Sequence, residues 1–252
     1  MSFGLAAIVF GLGGFALGTI PFALLLGKMN GLDVRTVGSK NVGATNLGRA
    51  LGFKWFMICF GLDAAKGAAA TIGFGLATGS LGRAALELDA AQAGAWLVVV
   101  AMPVLGHMFS PWVGFKGGKG VATGLGALVG VFPVLTLPAV GSLVVFLGSL
   151  ALWKYVGLSS VLAAGTLPVW TWYFYSLLLT EREKIAADEG PVDIFTVGPI
   201  GVDEPTRWPF IVLTVFLAAV VIWKHRGNLE RLAEGTEPKI GTPIGDTPDA
   251  GE

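Results

Sequence analysis

Between residues 2 and 27 the chain carries no charged side chain, and the first charge is Lys28. A block of that length is close to the roughly 20 apolar residues needed to cross the hydrocarbon core of a bilayer. The block recurs. Residues 55–79 are apolar except for Asp63 and Lys66, and 93–113, 156–179 and 208–223 repeat the pattern. Residues 121–153 are too long for one crossing and are interrupted by Pro133 and Pro138. Proline breaks the helical ladder, so two short helices meeting near Phe132 and Pro133 are expected there. Composition agrees: 54% of residues are hydrophobic and 13% charged, against about a quarter charged in soluble domains, and the mean hydropathy is +0.72.

These blocks predict an all-α, polytopic membrane protein of about seven transmembrane helices, with its active-site loops in the cytoplasm. The positive residues follow the first block instead of preceding it, which predicts a retained span and not a cleaved signal peptide. Twelve basic residues, including Lys28, Arg35, Lys40, Arg49, Lys54, Lys116, Lys119 and Lys154, fall on one side of such a topology, and Arg83, Arg182, Lys184 and Arg207 on the other. Basic loops stay in the cytoplasm, so the N-terminus is expected outside and the C-terminus inside. Residues 1–240 form the membrane-embedded domain, 181–207 are a polar, extracytoplasmic insertion, and 241–252, rich in Gly, Thr, Pro and Asp, are a disordered tail. Seventeen basic and 17 acidic residues cancel, which implies no nucleic-acid partner, and the single cysteine, Cys59, excludes a disulfide framework or a cysteine-rich metal site within one chain.

Three polar segments fall on the cytoplasmic side. The first runs Gly38-Ser39-Lys40-Asn41-Val42-Gly43-Ala44-Thr45-Asn46-Leu47-Gly48-Arg49. Its glycines let backbone approach a ligand, its hydroxyls and amides supply hydrogen bonds, and Arg49 offers a planar fork that fits phosphate. A solvated turn obeying the positive-inside rule is the plainer alternative. The second segment, from Gly106-His107 to Thr123, contains Phe115-Lys116-Gly117-Gly118-Lys119-Gly120 just before a helix. Backbone N–H groups and a helix N-terminus there make an anion cradle. The nucleotide P-loop pattern is not met, because Val113 stands five residues before Gly118 and Gly120 follows Lys119. The third segment, His225-Arg226-Gly227-Asn228 through Gly235-Thr236-Glu237, by itself reads as a basic juxtamembrane helix. It does hold the one histidine besides His107, however, and two histidines on one side invite acid–base chemistry. Two histidines without placed carboxylates support no metal. Asp63 and Lys66, three apart on one helical face, are either functional intramembrane charges or a structural ion pair.

Together these segments resemble the three signature motifs of the bacterial PlsY family, the acyl-phosphate:glycerol-3-phosphate acyltransferases, and Asp63-x-x-Lys66-Gly67 is similar to a further family pattern. The resemblance covers nearly the whole chain in order. It implies an enzyme of phospholipid synthesis in the bacterial inner membrane that moves an acyl group from acyl phosphate to the 1-hydroxyl of glycerol 3-phosphate, releasing lysophosphatidic acid and phosphate. It implies catalytic roles among His225, Asn228, Ser39 and His107. Substrate binding falls to Asn41, Gly43, Thr45, Asn46, Arg49, Lys116, Gly117, Gly118, Lys119, Gly120 and Ser160. Acyl phosphate, glycerol 3-phosphate and membrane lipid are the expected partners, and no cofactor is needed because acyl phosphate is already activated. Three positions depart from the pattern: Lys40 stands where glycine is usual, Val42 where proline or isoleucine is common, and Gly157 where serine is frequent. The physical reading agrees that two anions must be held together, and Arg49, Lys119 and the loop N–H groups can compensate them. The proton of the attacking hydroxyl could pass to His225, His107 or the donor's phosphate. A transporter of anions or phosphate esters would also want basic loops, but such proteins often show internal repeats, and the glycine motifs do not recur in two halves. A lipid-binding membrane protein would not require three polar clusters on one side.

Overall fold

The computed structural model describes residues 1–82, 88–188 and 207–242, with backbone alone over 178–188. The expected turn residues Arg83 and Glu87, most of the polar insertion and the end of the tail lie outside the described residues. Among the described residues all regular structure is helical: α1 (Phe3–Gly18), α2 (Phe22–Met29), α3 (Ala44–Leu51), α4 (Phe53–Thr78), α5 (Ala90–Met108), a 3-10 turn (Pro111–Val113), α6 (Val121–Val129), α7 (Thr136–Trp153), α8 (Val156–Asp188), α9 (Trp208–Lys224) and α10 (Arg226–Ala233). By length and hydropathy α1 with α2, α4, α5 with its 3-10 turn, and α7 can each cross a bilayer, and α9 with α10, bent by 52°, is a fifth candidate.

Several boundaries differ from the sequence pattern, each for a local reason. The first apolar block breaks at Thr19–Pro21: Pro21 has no N–H to continue the ladder, and the Thr19 hydroxyl donates back to the Ala16 carbonyl at 2.7 Å. The freed carbonyls are then used elsewhere, the Ser110 hydroxyl donating to Thr19 O at 2.5 Å and the Lys66 ammonium to Ile20 O at 3.1 Å. The first polar loop is not all loop, because Ala44, Leu47 and Leu51 recur at helical spacing and Leu47 is wholly buried beneath α3. The 121–153 block does break at 130–135, but unequally: α6 has 9 residues, a rise of about 13 Å, and α7 has 18. Helix α8 continues into the polar insertion as far as Asp188, consistent with the helix-forming run Glu181-Arg182-Glu183-Lys184.

Close backbone approaches set the position of the polar segments. In lipid, small residues at helix crossings let backbones pack directly. A Cβ on Gly106 of α5 would strike the Phe15 carbonyl of α1, and one on Gly67 of α4 would strike the Thr123 carbonyl of α6. These two crossings bring His107, the Asp63–Lys66 pair and the start of α6 to one place. An apolar core holds them there. Phe74 on α4 meets Trp96 of α5 edge-on at 4.6 Å and Phe3 of α1 at 5.7 Å, and Val99, Val100, Leu135 and Phe210 continue the packing. A smaller cluster of Leu24, Val34, Val42, Leu47, Cys59 and Val113 anchors the first loop beneath α2 and α3.

Candidate active site

The three polar segments, far apart in sequence, line one cleft of about 760 Å3. The first segment supplies Ser39, Asn41, Gly43, Thr45, Asn46 and Arg49, the second His107, Lys119 and Gly120, the third His225 and Asn228, and α8 adds Ser160. Lys116 and Gly117 instead line an adjoining outer cleft with Lys40, Lys224, Arg226 and Arg231, a basic vestibule that shares Ser39, Asn41, Lys119 and Asn228 with the inner one. Gly118 lines neither. A Cβ there would collide with the His107 imidazole and lie 2.9 Å from the Val42 carbonyl, so this glycine lets the loop pack on α5. The backbone of the glycine pair is not left-handed; Gly114, Phe115 and Gly120 carry the positive φ values.

Asn46 serves the loop itself: its Oδ1 accepts from Ser39 N at 3.1 Å, and its Nδ2 donates to the carbonyls of Val34 and Val37 at 2.8 and 3.1 Å. That clip sets the chain direction at Ser39. Lys40 follows with φ of 56°, a left-handed conformation that costs a non-glycine residue about 1–2 kcal/mol. Lys40→Gly is therefore expected to stabilise the protein by about 0.5–1 kcal/mol, after the extra chain entropy of glycine is set against the relieved strain. Thermal unfolding in detergent should show a rise of about 2 °C; a fall would mean that Lys40 makes contacts worth more than its strain.

The cleft's charge is concentrated in one network. The Lys119 ammonium donates to Asn228 Oδ1, Asn228 Nδ2 donates to Glu237 Oε1 at 2.6 Å, and Arg231 Nε donates to Glu237 Oε2 at 2.9 Å. Arg49 Nη2 donates to the Pro238 carbonyl at 3.0 Å. Its Nε is buried with no partner among the described residues, a donor kept dry beside the cleft. Arg49, Lys119 and Arg231 thus face one carboxylate, leaving an excess of positive charge. Burial lowers the Arg49 pKa, and burial, reinforced by Arg231, Arg49 and Lys224 and opposed by Glu237, brings Lys119 down to about 8. Gly120 caps α6 with φ of 79°, and Val121 and Ala122 of its first turn line the cleft, so a helix N-terminus faces it with its partial positive charge.

Glu237 was not among the expected site residues. It reaches the cleft because Gly235, at φ 72°, ends α10 and turns the chain back, with Thr236 N and Glu237 N both bonding to Arg231 O. Ile240 N then bonds to Lys154 O at 2.7 Å, so the start of the tail is tied to the junction of α7 and α8. The Gly-Thr-Glu triplet was its one sequence signal. Gly157 is explained too: a Cβ would come within 2.7 Å of Asn228, so its smallness makes room for this network.

The two histidines are bonded differently. Nδ1 of His225 lies 2.8 Å from the Val221 carbonyl. A carbonyl can only accept, so Nδ1 donates and the neutral ring keeps Nε2 as an acceptor. On α4 and α5, Lys66 Nζ lies 2.8 Å from Asp63 Oδ1 and 2.9 Å from His107 Nδ1. Phe60, Gly120, Val121, Phe146 and Ser160 carry the cleft wall into an apolar groove of about 730 Å3 lined by Val104, Leu125, Leu128, Leu143, Leu167 and Leu217 among others.

A family model described as glycerol-3-phosphate acyltransferase matches residues 8–235. The chain is 36% identical to a glycerol-3-phosphate acyltransferase of Trichlorobacter lovleyi over 90% of this chain and 94% of the relative. It is 35% identical to that of Thermosynechococcus vestitus over 92% and 93%. Among solved structures it is similar to PlsY, an integral membrane glycerol 3-phosphate acyltransferase, in its glycerol 3-phosphate form, with a TM-score of 0.69 and 30% identity over 94% of this chain and 96% of that one. Its lysophosphatidic acid form gives a TM-score of 0.65 at 29% identity.

Proposed function

This chain belongs to the glycerol-3-phosphate acyltransferase family, and from that premise we propose that it takes its acyl group from acyl phosphate. The continuity of the charged cleft with the apolar groove carries this reading. An acyl phosphate has an anionic head and a long alkyl tail, and the two compartments, joined at Phe60, Gly120, Val121, Phe146 and Ser160, match both. Two phosphates in one cleft repel each other, which Arg49, Lys119 and the α6 N-terminus offset. In the reaction the 1-hydroxyl oxygen of glycerol 3-phosphate forms a bond to the acyl carbonyl carbon. The bond from that carbon to the phosphate oxygen breaks, the hydroxyl proton passes to His225 Nε2, and lysophosphatidic acid and inorganic phosphate leave. Asn228 holds Lys119 in register, and Ser39 and Thr45 supply hydroxyls at the cleft wall.

The donor is tested by giving purified protein radiolabelled glycerol 3-phosphate with palmitoyl phosphate, palmitoyl-coenzyme A or palmitoyl-acyl carrier protein. Lysophosphatidic acid is expected from palmitoyl phosphate alone; its formation from a thioester and not from the phosphate would refute the assignment. Arg49→Lys keeps the charge but loses the planar fork. With Nη2 held by Pro238 and Nε free, the arginine can hold the tail and a phosphate at once, which a lysine cannot. The KM for glycerol 3-phosphate should rise about 10- to 100-fold, the loss of a charge-assisted bond, and unchanged kinetics would remove Arg49 from the site.

The cleft is assigned to the cytoplasmic face of the bacterial inner membrane, with the N-terminus outside, on the basic bias of the loops. In a Cys59→Ala background, Ser39→Cys and Glu234→Cys should react with an impermeant maleimide from the cytoplasmic side only, and Asp188→Cys from the other. Labelling of Ser39→Cys and Asp188→Cys from one side would contradict the topology.

A further inference from the structure

We propose that the Asp63–Lys66 pair fixes His107 as a hydrogen-bond donor to bound substrate, so that the two histidines of the cleft hold opposite and non-exchangeable roles. The argument starts from Lys66. An ammonium has three N–H donors and no acceptor, and this one has three acceptors in reach: Asp63 Oδ1 at 2.8 Å, His107 Nδ1 at 2.9 Å and the Ile20 carbonyl at 3.1 Å. Two of these are hydrogen bonds, to the Ile20 carbonyl and the imidazole, and the third is the ion pair with Asp63. Nδ1 of His107 must then be the unprotonated nitrogen, and the neutral ring carries its proton on Nε2. The Asp63 carboxylate also lies 3.4 Å from Nδ1, but the shorter contacts on both sides run through Lys66.

The rest of the architecture supports this assignment. Lys66 is 4% and Asp63 2% exposed, a depth at which removing either partner strands the other. The break before Pro21 leaves the Ile20 carbonyl with only a tight-turn bond from Phe22 N at 3.1 Å, so it can also accept from a lysine on another helix. His107 lines the same cleft as His225, with Nε2 on the side of Gly118. In His225 the order is reversed: Nδ1 donates to Val221 and Nε2 accepts. A site that moves a proton from a hydroxyl and stabilises anionic oxygens needs one group of each kind. His107 is the fixed donor, His225 the acceptor, and Asp63 and Lys66 are positioning residues that act through His107. The proposal rests on the acyl-transfer reading only for its kinetic arm.

The test is the tautomer itself. Protein labelled with 15N-histidine has two imidazole signals, assigned with His107→Gln and His225→Gln. His107 is expected with its proton on Nε2 and His225 with its proton on Nδ1, and neither observation depends on which acyl donor is used. Lys66→Met should release His107 to a mixture of tautomers and lower kcat about 10- to 100-fold, the range expected for a misplaced catalytic group. Because that change strands Asp63, Asp63→Asn/Lys66→Met gives the same readout where the single variant does not fold. Glutamine can present an N–H near Nε2, so His107→Gln should lose less of kcat than His107→Leu. A proton on Nδ1 of His107, or equal loss in His107→Gln and His107→Leu, overturns the proposal. So does an unaltered His107 tautomer in the folded lysine variant. With the expected tautomers and no turnover from acyl phosphate, it is the donor assignment that fails.

Discussion

His225→Gln is expected to lower kcat by about 10²- to 10⁴-fold, the usual contribution of a positioned general base, with little change in the KM for glycerol 3-phosphate. The glutamine amide can fill the space beneath Val221 but cannot take up a proton. His225 is 3% exposed and its Nδ1 is committed to the Val221 carbonyl, so its remaining nitrogen faces little competition from water. The variant must first show a wild-type elution profile and melting temperature in detergent. If the folded protein then keeps most of its kcat, the hydroxyl proton goes to the donor's phosphate instead, and His225 only orients the start of α10.

Lys119→Ala should cost about 1.5–3 kcal/mol of transition-state binding, or roughly 10- to 150-fold in kcat/KM. The lysine adds a mobile charge beside the α6 N-terminus, suited to a phosphate that arrives esterified and departs free. Its lowered pKa adds a signature that simple truncation lacks. Burial brings the Lys119 ammonium down to about 8, so above that pH a growing share of the protein has a neutral amine facing the incoming anion. A bound phosphate favours the ammonium and raises its pKa, so binding above pH 8 takes up a proton. The wild-type kcat/KM should therefore fall above pH 8 and level off near the Lys119→Ala value, and Lys119→Ala should lose that limb of the profile. A lysine that only anchored the loop among headgroups could be removed with little loss, so near-wild-type turnover from folded Lys119→Ala would end the phosphate-cradle reading. Persistence of the limb in a weakened variant would assign the titration to another group.

Much of this was legible because membrane helices write themselves plainly. The uncharged run from 2 to 27, the interruption near Pro133 and the motif residues from Ser39 to Asn228 could be read from spacing and residue type, since lipid demands long apolar segments and polar residues at its edge are scarce. Less legible were features set by competition between neighbours. Proline at 21 signals a break, but not that Ile20 would surrender its carbonyl to a lysine 46 residues later. Asn46 reads as a ligand from its type, whereas all its polar groups are drawn into the loop. Gly118 reads as a backbone approach to phosphate, yet the group it approaches is His107.

By itself the sequence determined the solvent in which this protein folds, its helical class and the three polar segments available for chemistry, because hydropathy and local spacing are properties of contiguous residues. Tertiary structure decided which of those groups meet and in what protonation pattern. Lys119 and Asn228 are 109 residues apart, and Lys66 and His107 are 41 apart. The close crossings at Gly106 and Gly67 bring α4, α5 and α6 together, and the room that Gly157 leaves for Asn228 brings α10 to them. Glu237 enters the site by a left-handed turn at Gly235, and His107 and His225 differ in role because one ring faces a lysine and the other a carbonyl. A side chain's type fixes what it could donate or accept; its neighbour in space fixes which it does.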